Sequence, residues 1–287
     1  GIGLFVAYLG FKNSGIIVPN EDSFVQLASL SDPVALTSII TLIIMVLLTI
    51  KKVKGNILIG IIAGTFIGLL LGVTDFSSIG QFDLSFKDYT SIFFAYDFSA
   101  IYDFNFWIGV FSLTMLVLFQ NMGAQLSMLP DKTKFKRSYQ ANAISIIGAS
   151  LLGSSSTATT AESATGISMG GKTGLTSLTA GMLFIPTLLL IPILAVIPMS
   201  AIAPVLIIVG FLMFGSSIKK VPVQDLTEAI PSFLTLTIMP FSLNIANGIG
   251  FGFLTYVLLK LFTGRKAELN KPMYVIAILF FIYFFLT

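Results

Sequence analysis

Residues 153–162 read Gly-Ser-Ser-Ser-Thr-Ala-Thr-Thr-Ala-Glu, a small and polar stretch set between two apolar runs. Glu162 is the only carboxylate between Asp131 and Asp225. A carboxylate in such surroundings can accept hydrogen bonds from a neutral ligand that bears N–H groups, and away from water it can take up a proton. It can equally cap the short helix that follows it. Gln120 and Asn121 are the second candidates. They lie within Leu118-Phe-Gln-Asn-Met-Gly-Ala124, where two adjacent amides offer donors and acceptors without a charge. The same pair can serve as polar glue between helices, and Gly123 permits close helix approach. Asn244 and Asn247, near Gly248 and Gly250, mark a helix turn or close packing.

Other chemistries are missing from the chain. It has no Cys and no His. Disulfides, thiolate or imidazole metal sites, and Cys–His or Ser–His nucleophiles are therefore excluded. No cofactor and no metal is expected, and the chain is not read as an enzyme. Gly170-Gly-Lys-Thr-Gly174 lacks the spacing of a phosphate loop. The formal net charge of +3 comes without a basic stripe among aromatics, so nucleic acid is not an expected partner.

The polar stretch needs a scaffold, and composition says what that is. Charged residues make up 10% and hydrophobic residues 55% of the 287 positions. A soluble domain carries about 25% charged residues, so this chain cannot cover its own surface in water. A bilayer core about 30 Å thick needs roughly 20 apolar residues per helix. Uncharged runs of that order occupy 34–50, 55–74, 104–130, 138–161, 173–218, 229–259 and 272–287, plus 1–11 extended to Val18. Run 173–218 is expected to turn near Pro198, and run 229–259 near its Asn and Gly residues. About ten or eleven membrane segments result. Basic clusters at Lys51-Lys52-Lys54, Lys132 to Arg137, Lys219-Lys220 and Arg265-Lys266 alternate with acidic loops at Glu21-Asp22-Asp32 and at Asp75 to Asp103. Basic loops stay in the cytoplasm. Trp107 and Tyr102 fit an outer aromatic belt, and the Phe-rich tail 280–285 is expected to face lipid.

Backbone that is irregular at membrane depth survives only if it is buried in protein or lines a cavity. Residues 153–160 are therefore expected to be extended and to lead into a short helix from about Ala161 to Gly170. The amino terminus of that helix would direct free N–H groups at a site. Discontinuous helices of this kind hold substrates near the midplane of secondary transporters.

At these residues the sequence resembles the nucleobase–cation symporter family of xanthine and uracil permeases, in its hypoxanthine/guanine/adenine, azaguanine-resistance-like branch. Gly1 to Ile17 looks like the fifth helix, and Lys51-Lys-Val-Lys-Gly-Asn-Ile-Leu-Ile-Gly60 like the turn into the seventh. Glu162-Ser-Ala-Thr-Gly-Ile with Gly170-Gly-Lys-Thr-Gly-Leu-Thr176 resembles the tenth helix and its turn. Glu228-Ala-Ile-Pro-Ser-Phe-Leu-Thr and Ile245 to Lys260 resemble the thirteenth and fourteenth.

The resemblance implies an all-α polytopic membrane protein. It would be a partial seven-plus-seven inverted-repeat transporter, with a short extended strand leading into a half-helix, and a fragment lacking the first four transmembrane segments. Gate-domain helices would occupy 1–74, an extracellular acidic loop 75–103, core-domain helices 104–197 and further gate-domain helices 198–264. A cytoplasmic turn and an extra hydrophobic segment would fill 265–287. Glu162 occupies the position that binds the base in the family, with the backbone at Ala161 beside it. Gln120 stands where the family carries an acid; an amide can bind a purine but takes no proton at neutral pH. Phe119, Asn121, Thr160 and Ser163 complete the expected substrate site. The expectation is a multi-pass permease of the cytoplasmic membrane that imports hypoxanthine, guanine, adenine or xanthine with a coupling cation, a proton. It would work in a lipid bilayer, as a homodimer through the gate domain. The rival readings are a sulfate-type anion carrier of the related fold and a non-transporting membrane scaffold.

Overall fold

Asp32 and Pro33 open the first long apolar helix. The Asp32 carboxylate accepts from the backbone N–H groups of Val34 (2.7 Å) and Ala35 (3.4 Å), and Pro33 at the first helical position has no N–H to leave unpaired. Asp103 and Asn244 do the same work for two other spans, at 2.9 Å to Asn105 N–H and 2.9 Å to Ala246 N–H. The computed structural model of the chain describes residues 1–74, 89–160, 163, 167, 170–187, 190, 194, 196–218 and 221–286. Its helices are α1 (Ile2–Asn13), α2 (Pro33–Ile50), α3 (Asn56–Leu70), α4 (Phe104–Met128), α5 (Phe135–Leu151), α6 (Gly174–Thr187), α7 (Met199–Ile218), α8 (Leu226–Phe241), α9 (Ile245–Phe262) and α10 (Lys271–Leu286). Among the described residues, α2, α4 and α9 are long and apolar enough to cross a membrane, and α3, α6, α7, α8 and α10 are shorter apolar helices.

Two expectations about element ends are met. The break near Pro198 falls immediately before α7, and the break in 229–259 falls at 242–244, so it includes Asn244, while Asn247, Gly248 and Gly250 lie within α9. In that break Leu243 takes a left-handed φ of 50° and Asn244 caps α9. One expectation is corrected. The described residues are mostly helical, as expected, but the apolar run expected to reach Val18 ends as a helix at Asn13, and a short antiparallel hairpin follows. Strand β1 (Ile17–Asn20) pairs with β2 (Phe24–Leu27), from Ile17 opposite Leu27 to Asn20 opposite Phe24. The Asn20 side chain organises the turn, accepting from the backbone N–H groups of Asp22 and Ser23 at 2.9 Å each. This is an Asx turn, in which an Asn side chain accepts from backbone two residues on.

The chain divides into two units. The first holds Gly1–Phe82, Ala180–Pro222 and Leu236–Leu243. In it α1 lies against α7, and α2, α3 and α7 pack together. The contact surfaces are small and weakly polar, as in membrane helix pairs generally, where close backbone approach replaces the hydrophobic drive. A Cβ on Gly210 would sit 2.5 Å from the Gly3 carbonyl oxygen and 2.6 Å from the Ala7 nitrogen. Gly60 and Gly64, one turn apart on α3, face Met45 and Thr41 of α2. Ser38 of α2 donates to the carbonyl of Ser14 at 2.7 Å, with both residues fully buried. That bond satisfies a carbonyl at the end of α1.

The second unit holds Asp83–Thr179, Val223–Thr235 and Asn244–Thr287. In it α9 packs on α10 and α4, and α4 on α5. An aromatic seam joins α4 to α9 and α10. Phe111 meets Phe280 edge-on at 5.3 Å and Tyr283 at 5.8 Å, and Phe119 meets Phe253 at 5.4 Å. The lipid-facing reading of the tail is therefore corrected for two of its six residues. Phe280 and Tyr283, three apart and so on one helix face, are buried, while Phe281 and Phe285 are exposed. Gly123 makes no close helix approach among the described residues. Trp107 donates to the Ile101 carbonyl at 2.8 Å, and Tyr102 is exposed.

The glycine contacts give a paired test. Gly210→Ala must push two backbones apart and is expected to destabilise by about 1–3 kcal/mol. Gly109→Ala, in a helix interior with open space around it, is expected to stabilise by about 0.5–1 kcal/mol. Thermal unfolding of the detergent-solubilised protein reads both signs.

Candidate functional site

Helix α5 stops at Leu151, and Gly153 turns the chain out of it with φ +76°. A Cβ at Gly153 would lie 2.7 Å from the Ile92 carbonyl, so both conformation and space call for glycine. From Ser154 to Thr160 the chain is neither helix nor strand. This is the polar break the sequence singles out. Its amide and carbonyl groups need partners that regular structure does not supply.

Helix α4 supplies them. Asn121 is 1% exposed. Its Oδ1 accepts from the backbone N–H of Thr159 at 2.5 Å, and its Nδ2 donates to the backbone carbonyl of Thr157 at 3.4 Å. One turn on, Gln125 Nε2 donates to Thr159 Oγ1 at 3.2 Å. Ser145 Oγ of α5 and Thr157 Oγ1 are 3.5 Å apart. A buried backbone group left without such a partner costs about 1–3 kcal/mol. The structure thus brings together Asn121 and the residues that lead to Thr160, and adds Gln125, which the sequence reading missed. The available signal was the i, i+4 spacing of two amides in an apolar span, which puts both on one helix face. Gln120 and Phe119 are half-buried on the same turn of α4, while Thr160 and Ser163 are exposed. Ser163 N–H donates to the Thr160 carbonyl at 3.3 Å. Glu162 and Ala161 lie outside the described residues. The half-helix expected over 161–170 is described only at Ser163, Ile167 and Gly170.

A second polar cluster was not anticipated as a unit. A cavity of about 310 Å³ is lined by Phe119, Phe253, Tyr256, Glu228, Ser232 and Thr235 among others. Beside it the ammonium of Lys260, on α9, is wholly enclosed. Lys260 Nζ lies 2.9 Å from Glu228 Oε1, donates to Glu268 Oε2 at 2.6 Å, and is 4.0 Å from Asp225 Oδ2. It also sits 5.3 Å over the Tyr256 ring. Arg265 donates to both oxygens of Glu268, at 2.6 and 3.1 Å, and to Asp225 Oδ2 at 2.6 Å. Burying one ammonium is costly unless its charge and hydrogen bonds are met, and three carboxylates from two separate segments, 225–228 and Glu268, meet them here. Hydrogen bonds from Thr227 and Arg265 hold the Asp225 carboxyl at about 2. Lys260 and then Arg265 hold Glu268 below the ordinary range, and Glu268 and Asp225 raise Arg265.

Long apolar helices with large exposed side chains such as Phe211, Leu58 and Ile144 fit a multi-pass membrane protein. The model of the xanthine/uracil-type Permease family matches residues 1–251, and the chain belongs to that family. It is similar to the adenine permease AdeP of Escherichia coli (33% identical, over 98% of this chain and 64% of the relative). It is similar also to the nucleobase transporter PlAzg2 of Paenibacillus larvae (33%, over 90% and 52%). The guanine/hypoxanthine permease PbuO of Bacillus subtilis is 30% identical over the whole chain and 68% of its own length. The chain thus spans about two thirds or less of most of these relatives. By their names they are permeases and transporters, not enzymes.

The ionic cluster predicts a pH dependence. Asp225 has a folded value near 2 against an ordinary 3.8, so its contribution to stability is complete above the ordinary value and is lost as pH falls through the folded one. Asp225→Asn should flatten the fall in unfolding temperature between about pH 4 and pH 2. A variant that follows the wild-type curve through that range would remove Asp225 from the account.

Proposed function

We propose that the whole protein is a permease that carries purine nucleobases across the cell membrane, and that residues 119–121 and 153–163 form one half of its substrate site. The observation that supports this is the polar break itself. It is an irregular segment between apolar helices, held by a buried amide of α4 on the same turn as Gln120 and Phe119. Irregular backbone at that depth belongs beside a cavity or a ligand. The family match and the relatives named for adenine and guanine/hypoxanthine support the substrate class.

In this reading Glu162 accepts from ring N–H groups, and the backbone at Ala161 donates to ring acceptors. Gln120 supplies a neutral donor and acceptor, Phe119 an aromatic wall, and Thr160 and Ser163 the hydroxyls at the entrance. A proton is the coupling cation. Helices in 104–197 move as a core against a gate built from 1–74 and 198–264, and the gate forms the surface of a homodimer.

The test uses the full-length protein in cells without their own purine uptake. Glu162→Gln is expected to raise the KM for purine uptake about tenfold or more, the worth of a charge-assisted hydrogen bond. Uptake at wild-type affinity overturns the assignment. Competition by sulfate and not by purines would point to the anion carrier instead.

A further inference from the structure

We propose that Asn121 is a positioning residue. Its side-chain amide takes the place of a neighbouring strand and fixes the register of residues 157–159, with Gln125 as a second anchor one turn on. In a parallel β-ladder, one residue donates to the carbonyl of residue i−1 and accepts from the N–H of residue i+1 on the facing strand. Asn121 makes this pair of bonds with its side chain alone: Nδ2–H to the carbonyl of Thr157, and Oδ1 from the N–H of Thr159, with Ala158 between them. Gln125 then holds the hydroxyl of the same Thr159. Both amides are buried, at 1% and 6% exposure, and both reach residues more than thirty positions away in the chain.

The geometry is more demanding than packing. Backbone groups of adjacent residues in an extended segment point to opposite edges, so a slip of one residue exchanges the edges. With Thr157 and Thr159 turned to α4, the N–H and C=O groups of Ala158 are left for the opposite edge. Glu162 follows Thr159 by three residues in the chain. The Asn121 amide is thereby engaged with backbone, and it acts on substrate through the segment it holds. This inference rests on the reading of 153–163 as a substrate half-site, although the clamp itself does not.

Two measurements on the full-length protein separate the clamp from that reading. The first is hydrogen–deuterium exchange of peptides covering Ser154–Thr160 in purified protein. The second is the kinetics of adenine uptake. Asn121→Leu is expected to speed exchange in that segment about tenfold, the worth of a lost backbone hydrogen bond, with exchange in α2 unchanged. It is also expected to raise KM for adenine by a similar factor and to change kcat less. Asn121→Asp keeps the acceptor for Thr159 and loses the donor to Thr157, so it should fall between Leu and wild type. Gln125→Leu should give a smaller effect of the same kind, and it serves as the second variant if Asn121→Leu does not fold. Unchanged exchange at 154–160 in the folded variants overturns the clamp. Faster exchange with an unchanged KM overturns its role in positioning the site. A wild-type protein that takes up no purine refutes the proposed function, while the exchange data still decide the clamp.

Discussion

A peptide group placed in hydrocarbon has no water to turn to, and its unmade hydrogen bond is charged in full against the fold. Most of this chain meets that constraint in the ordinary way, inside helices. Where the chain leaves the helix it meets it with side chains. The Asp32, Asp103 and Asn244 side chains close the amino ends of three long spans. Ser38 takes the carbonyl of Ser14 at the end of α1. Asn121 takes both a donor and an acceptor from the break after α5. The Ser38 and Asn121 bonds differ from the three caps because the groups they serve lie far off in the chain, so each ties a tertiary contact to a local conformation.

The same economy of water explains the charges. Lys260 is enclosed at the last turn of α9, where a cation also suits the carbonyl end of the helix dipole. Its ammonium is met by Glu228 from the start of α8 and Glu268 from the turn before α10, while Arg265 holds Glu268 and Asp225 in place. The cluster joins three segments at one end of the second unit. By contrast, the Lys134–Asp131 pair is exposed at 3.9 Å, and such a pair contributes little.

Much of the architecture could be read from the sequence because the bilayer imposes a length and a polarity on each span. The breaks at Pro198 and before Asn244 follow from residues that cannot continue a helix or that cap one well. The polar break at 153–160 stood out because nothing in hydrocarbon tolerates eight small and polar residues in a row without a reason. Other features were hidden. The β1–β2 hairpin is built of four-residue strands around an acidic turn, and in a sequence that looks like a loop with apolar flanks. The partners of Asn121 and Lys260 are separated from them by distances in the chain over which periodicity carries no information. The burial of Phe280 depended on Phe111 of another helix, which the apolar tail alone could not reveal.

The crossing of α1 and α7 has a mechanical meaning. Backbone lies on backbone at Gly3 and Gly210, with no side chains between to change rotamer and absorb a displacement. The Ala7 and Phe214 backbones already stand at the crossing, so sliding one helix along the other would drive a side chain against backbone and force the axes apart. The pair therefore behaves as a strut. Any rearrangement that involves these helices has to carry both together, and the bending must be taken up in the connections at either end.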